Sequence, residues 1–344
     1  YALVITCGSG EVTNAFAFNN DLVVLAPVLP DVTHVTNTIT QPDFVAAFLE
    51  NQRVSANTPL LGTTNGLINQ WKFYVVTNDT SWTNAAFLLA QQTDLAIPRM
   101  GVFAGATSEA TRRYADIDLY VSTDSNLTNL SPAVLDTAYK SLSRNDISGD
   151  ELIILSNAQP VYYVGVKSED YQAAQYDFFA IFSELPLGAE DPNGFVRAYP
   201  MTGYAIPDGS PSLPRGTRFL AVPRPSLSGN AESVRRVVIT NNVSHQNYGD
   251  IIAAVNHNSR AVVLDNHRSL ESPPYPVPPG PYSFLYDDSG QGDFPGAIPP
   301  DGPGTFETYM GEAPGGVWYF SYSDDAETQS GNVNDLRLRV DRQC

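Results

Sequence analysis

Four histidines, His34, His245, His257 and His267, are the side chains of this sequence whose ordinary titration lies near neutrality. A nucleophilic hydrolase needs one of them within hydrogen-bond reach of a serine or cysteine. No serine stands in a G-x-S-x-G context, where a nucleophile is presented on a tight strand-to-helix turn. His257 and His267 are ten residues apart, and Cys7 and Cys344 are solitary, so the short His/Cys spacing of a zinc site is missing. The sequence is therefore expected to carry no catalytic residue and no bound cofactor other than a candidate calcium.

Calcium is the cation to consider, because hard oxygen ligands are plentiful. Asp116 and Asp118 share one face of a strand pattern, and Asn145–Glu151 (NDISGDE) gathers Asp146 and Asp150 around a glycine turn. Asp287 and Asp288 precede Ser289-Gly290, with Asp293 beyond, and Asp324-Asp325 follow a strand pattern. None of these has the twelve-residue EF-hand spacing, and the competing interpretation is of solvated turn acids or Asx turns. Tyr162, Tyr163, Trp318 and Tyr319 could stack on a sugar, but aromatics in strand patterns are more often core. Asn78, Asn126, Asn129 and Asn242 open N-x-Ser/Thr sequons, a weak signal in a chain so rich in Thr and Asn. Lys72 and Lys167 lie in strand patterns, where a Lys–Asn isopeptide would need a buried lysine; a snorkelling side chain is the plainer reading.

The elements that would position these groups are strands. The chain has 344 residues, enough for two domains. Charged residues make up 16%, against a usual value of about 25%. Pro 26, Gly 25, Tyr 18 and Phe 16 suit many short strands joined by punctuated loops. Trp71–Val76, Ile117–Val121, Val161–Val166, Phe178–Phe182, Val234–Thr240, Ile251–Val255, Ala261–Leu264, Val317–Tyr322 and Leu336–Val340 read as strands by alternation or as continuous apolar runs. Short helices are expected at Asp43–Arg53 and after Ser131-Pro132, with Ser131 at the N-cap. The most Pro/Gly-punctuated stretch, 186–216, reads as a linker, and Pro273–Pro281 as surface polyproline II. The expected fold class is all-β: tandem jelly-roll-like β-sandwiches with an N-terminal strand segment. The expected boundaries are 1–27 (strand segment, in its own domain or swapped into a neighbour), 28–185, the linker, and 217–344.

A formal net charge of −18 argues against nucleic acid, whose phosphates need a basic face, and against anionic membrane. No apolar run approaches the ~20 residues of a membrane span. Tyr1 opens the chain without Met, which reads as a processed or truncated start. Cys7 and Cys344 sit at the two extremes, so an intramolecular bridge, a bridge between copies and two free thiols all stay open.

Two stretches resemble known modules. The run Ala115–Val121 (ADIDLYV) followed by Val161–Val166 (VYYVGV) resembles the paired signature of bacterial pre-peptidase C-terminal domains. The run Val238–Leu264 resembles the P domain of proprotein convertases and of bacterial secreted subtilisin-like proteases. It matches at His245, Gly249-Asp250 and His257-Asn258-Ser259, and the likeness continues in Gly316-x-Trp318, Asp324 and Gly331-x-Val333, while Leu336 stands where that family usually has an aromatic. The resemblance implies β-sandwiches from the non-catalytic regions of secreted bacterial proteins. The functional expectation is a non-enzymatic extracellular structural or adhesive module, a fibre subunit joined head-to-tail to copies of itself by strand pairing. The alternatives are an accessory region of a secreted subtilisin-like protease and a carbohydrate-binding module with a glycan partner.

Overall fold

The computed structural model describes residues 23–25, 32–39, 71–78, 81–90, 117–141, 150–168, 174–201, 203–209, 216–225, 232–258, 260–268, 280–289 and 294–343. Within them the chain is all-β, built from four sheets. The first sheet has the order β1 (Val23–Leu25), β3 (Trp71–Thr77), β8 (Val161–Ser168), β5 (Ile117–Ser122), β6 (Tyr139–Ser141). The second has β2 (Val32–Ile39), β9 (Ala174–Ser183), β4 (Asn84–Ala90), β7 (Glu151–Leu155). The third has β12 (Gly216–Arg224), β17 (Gly316–Asp324), β14 (Ile251–His257), β15 (Arg260–Asn266). The fourth has β10 (Val196–Arg197), β18 (Gly331–Gln343), β13 (Ser233–His245), β16 (Tyr282–Tyr286), with β11 (Tyr204–Ile206) also on β18. Pairing among these strands is antiparallel except for β1 on β3.

Strand periodicity explains how the sheets stack, since successive side chains point to opposite faces. On β4, Ala85, Phe87 and Leu89 face the first sheet, joining Tyr74, Val76, Leu119, Tyr162 and Val164 in one core. The alternate residues Ala86, Leu88 and Ala90 face away, and so do Phe179 and Ile181 of β9. They meet Ala221 of β12 and Val317 and Tyr319 of β17, so the second and third sheets share an apolar seam. The other face of β17, carrying Trp318, Phe320 and Tyr322, packs with Ile239, Val255, Leu338 and Tyr286 into the core of the second sandwich. Strands covered on both faces have no solvent side to mark with polar residues. That is why Phe178–Phe182 and Val317–Phe320 read as continuous apolar runs. Across the seam Tyr319 donates a hydrogen bond to the Asp177 carboxylate, both side chains being buried.

Residues 186–216, read from sequence as a linker, carry β10 and β11, both paired with β18. Leu187 and Tyr199 from the same stretch are buried in the seam, and Tyr199 exchanges backbone hydrogen bonds with Ala221. Its glycines supply tight turns. Gly188 has φ +74, and a Cβ there would fall 2.4 Å from Pro225 Cδ. The punctuation marks sharp changes of direction along the second sandwich, so the segment is stitched to it. Val23–Leu25, within the segment read as 1–27, pairs with β3 of its own chain. The helix expected after Ser131 is α1 (Pro132–Thr137), with Ser131 at its cap but making no side-chain capping bond. The strand pair expected in residues 1–20, the helix at 43–53, the Pro-rich run 271–279, Cys7 and Cys344 lie outside the described residues.

Candidate functional site

Among the described side chains, the groups best equipped for acid–base chemistry gather in the second sandwich, and β17 organises them. His257 ends β14 and is fully buried. Its ring lies parallel to Trp318, with centroids 4.0 Å apart and planes 5° from parallel, and Tyr309 meets it edge-on. Nδ1 is 2.8 Å from the Val317 carbonyl oxygen and Nε2 is 2.7 Å from that of Ala313. Gly316, at φ +109, brings this backbone close to the ring. Burial pushes the His257 imidazole below its ordinary pKa, outweighing the upward pull of the two carbonyl bonds.

The opposite end of β17 is held by a second buried histidine. His245 ends β13, and its Nε2 lies 3.1 Å from the Asp324 carboxylate, both side chains being sealed from solvent. On the other side of the ring, Nδ1 lies 2.7 Å from the Asn247 carbonyl oxygen and 3.1 Å from the Asn247 nitrogen. The second Asp324 oxygen accepts the Ala326 N–H at 3.1 Å. Asp250 accepts from Asn247 Nδ2 at 2.9 Å, while its other carboxylate oxygen is buried without a hydrogen-bond partner. Burial, and after it the nearby Asp324 charge, raise the Asp250 pKa. His267 reaches from beyond β15 to Asp325 at 3.2 Å and to the Gly249 carbonyl at 3.0 Å. The positions that carried the P-domain resemblance are thus one another's partners: His245 with Asp324, Gly331 against the His245 ring, and Gly316 and Trp318 around His257.

A third polar centre was not singled out in the sequence. Asp265 is fully buried and accepts from Tyr248 at 2.6 Å and Tyr286 at 2.7 Å, while Arg268 Nε donates to its second oxygen at 2.9 Å. The cause is a bulge: the β14–β15 register shifts between Ala253 and Ala254, so Leu264 and Asp265 both turn toward the core. Burial raises the Asp265 pKa against the lowering effect of its hydroxyl donors, and the same burial raises both tyrosines well above their ordinary value. Nearby Asn241 donates to the Tyr322 hydroxyl at 3.1 Å, and its own carbonyl oxygen is buried without a partner. An aspartate at the end of a β-branched run gives no sequence sign of the bulge that inverts it.

Of the carboxylates expected to hold calcium, Asp118, Asp150, Asp287, Asp288 and Asp324 fall among the described residues. Asp118 is buried directly opposite Lys167 on β8. Asp150 leads into β7. Asp287 forms a forked ion pair with Arg236, the Nε–Oδ1 arm being 3.2 Å, and accepts from Ser289. Asp288 accepts the Phe306 and Glu307 N–H groups at 3.1 and 3.0 Å, capping the 3-10 turn Phe306–Tyr309. Asp324 is taken by His245. Among the described residues no three His, Cys, Asp or Glu converge as a metal would require. Asp116 and Asp146 lie outside the described residues. Of the sequon asparagines, Asn126 and Asn129 are exposed in a 3-10 turn, whereas Asn78 is buried and bonded to both backbone groups of Trp82.

No family model matches the chain, and no curated protein does. One solved structure that it resembles is a candidate secreted protein from Eubacterium rectale, at 10% identity over 80% of this chain and 69% of that one, with a TM-score of 0.22. That likeness is too weak to bear on what the chain does. Among the described residues no helix is long and apolar enough to cross a membrane.

Proposed function

We propose that this chain is a non-enzymatic structural or adhesive module that works outside the cell. The observation that supports it most is the fate of His245, His257, His267, Asp265 and Asp324. Each ring nitrogen of His245, His257 and His267 has a backbone or carboxylate partner, and His245, His257, Asp265 and Asp324 are sealed from solvent. A general base has to reach the proton it removes. These groups instead tie strand ends together. Lysine-poor, weakly charged composition with abundant Thr, Asn and Tyr fits an extracellular setting.

Assembly by strand pairing belongs to the first sandwich in this proposal, because segments of the second bond three of its sheet edges. The β12 edge is bonded by Tyr199, β15 by Pro303, Asp301 and Gly302, and β16 by Ile298. Edges covered in this way resist pairing with another chain. The test is imaging of the purified full chain at high concentration, with and without reductant. Particles of regular axial repeat are the expected result, and a strict monomer would remove the assembly claim. Turnover of a peptide or sugar that is lost on replacing one histidine would remove the non-enzymatic claim.

A second reading, the non-catalytic region of a secreted subtilisin-like protease, is favoured by the mutual packing of His245, Asp324, Gly331, His257, Gly316 and Trp318. Protease sequence directly upstream of Tyr1 in the encoding frame is what that reading requires.

A further inference from the structure

Among the described residues His257 is the imidazole whose two nitrogens both face backbone carbonyl oxygens, at 2.8 and 2.7 Å. A neutral imidazole carries one N–H, so only one of these contacts can be a hydrogen bond. The other sets a nitrogen lone pair against a carbonyl lone pair. A second proton turns both nitrogens into donors, and the parallel Trp318 ring 4.0 Å away offers an electron-rich face to the resulting cation. The charged and titratable groups facing the ring come from every side. Glu312, just before the turn, favours the cation; Arg224 of β12 opposes it; Tyr309 meets the ring edge-on. Arg260, at the start of β15, is drawn off to Glu312 at 2.7 Å.

We infer that His257 is a proton latch: one ring N–H fastens the Ala313–Val317 turn to β14 in the neutral form, and acidification adds the second bond while placing a charge under Trp318. The sign follows from burial. The folded ring holds its second proton less firmly than a histidine of the unfolded chain does. The unfolded chain therefore takes up that proton first, starting near the ordinary value of about 6.5. Acidification from there to the lower folded value costs stability, and below the folded value the loss is complete and constant. The latch thus gains a bond and registers acid in the same step, beside a tryptophan that reports it.

The experiment is a fluorescence titration of the full chain from pH 8 to 5. A protonated imidazole in contact with an indole quenches it, so the Trp318 emission falls in a single one-proton step below pH ~6.5. His257→Phe keeps the stack and abolishes the step, and Trp318→Phe removes the titrating emission while Trp71 and Trp82 still emit. Nitrogen NMR of the unaltered protein reads the ring directly, and both His257 nitrogens become N–H across the same pH interval. A step that persists in His257→Phe overturns the inference. So does a ring already doubly protonated at pH 8, or one still neutral at pH 5. The NMR arm decides the matter even where a variant does not fold.

Discussion

Gly331 shows how tightly the buried histidines are built in. A Cβ at that position would lie 2.3 Å from His245 Cδ2 and 2.4 Å from the Ser244 carbonyl oxygen. The carbonyl belongs to the paired strand and has no room to retreat. Gly331→Ala is expected to cost about 1–3 kcal/mol, read as a fall in melting temperature with the β-rich circular dichroism retained. An unchanged melt would mean that the His245–Asp324 pair is not a fixed post. Charge at the residue scale is tested at Asp287. Burial alone would raise its pKa, but the hydrogen bonds from Arg236 and Ser289 carry it below the ordinary carboxylate value. Such a group contributes stability above the ordinary value of about 3.9, and that contribution is lost as pH falls through the lower folded value. The stability gap between wild type and Asp287→Asn in urea is therefore expected to be wide at pH 7 and to close in strong acid. A gap that does not change with pH would deny the ion pair its role. The sequence pointed to Asp287, Asp288 and Asp324 as residues with work to do, because acids beside turns stand out in a weakly charged chain. In the structure their partners are a guanidinium, two N–H groups and an imidazole.

At the level of elements, apolar periodicity identified the strands well where one face is wet and ambiguously where both are dry. Leu336–Val340 alternates because the outer face of the fourth sheet carries Arg337, Arg339, Asp335 and Asp341 in ion pairs. The proline and glycine rule misled in 186–216, because a stretch that turns repeatedly over a sheet has the same composition as one that crosses open solvent. Short elements depend on single side chains in the same way. The 3-10 turn Phe306–Tyr309 has no capping bond from its own preceding residue Thr305, and Asp288 supplies the acceptor from a different loop. Asp288→Ala is expected to cost about 0.5–2 kcal/mol, the range for a lost N-cap. Hydrogen exchange should locate the loss at the Phe306 and Glu307 amides. Protection kept at those two amides would show that the cap does not hold the turn, which positions Tyr309 beside His257.

For the molecule as a whole, the decisive feature is the seam between the second and third sheets, because it determines whether the sandwiches are separate beads or one body. Its residues lie on the faces of β4, β9, β12 and β17 turned away from the two main cores, so changes there leave those cores packed. Leu88 is the sharpest probe. It is fully buried, next in sequence to Phe87 of the first core, and directed into the seam with Ala86 and Phe179. Burial of one such side chain contributes about 1.5–3 kcal/mol, and several seam residues acting together exceed what is needed to couple two unfolding events. Wild-type protein is expected to give one calorimetric transition. Leu88→Asp places a carboxylate in that dry layer without a partner, which costs several kcal/mol and is relieved when the sandwiches part. The expected outcome is two transitions, each β-rich, with the His257 fluorescence step intact in the second sandwich. Two transitions already in the wild type would mean that the seam carries no coupling, and a single unshifted transition in Leu88→Asp would mean that the seam does not depend on Leu88.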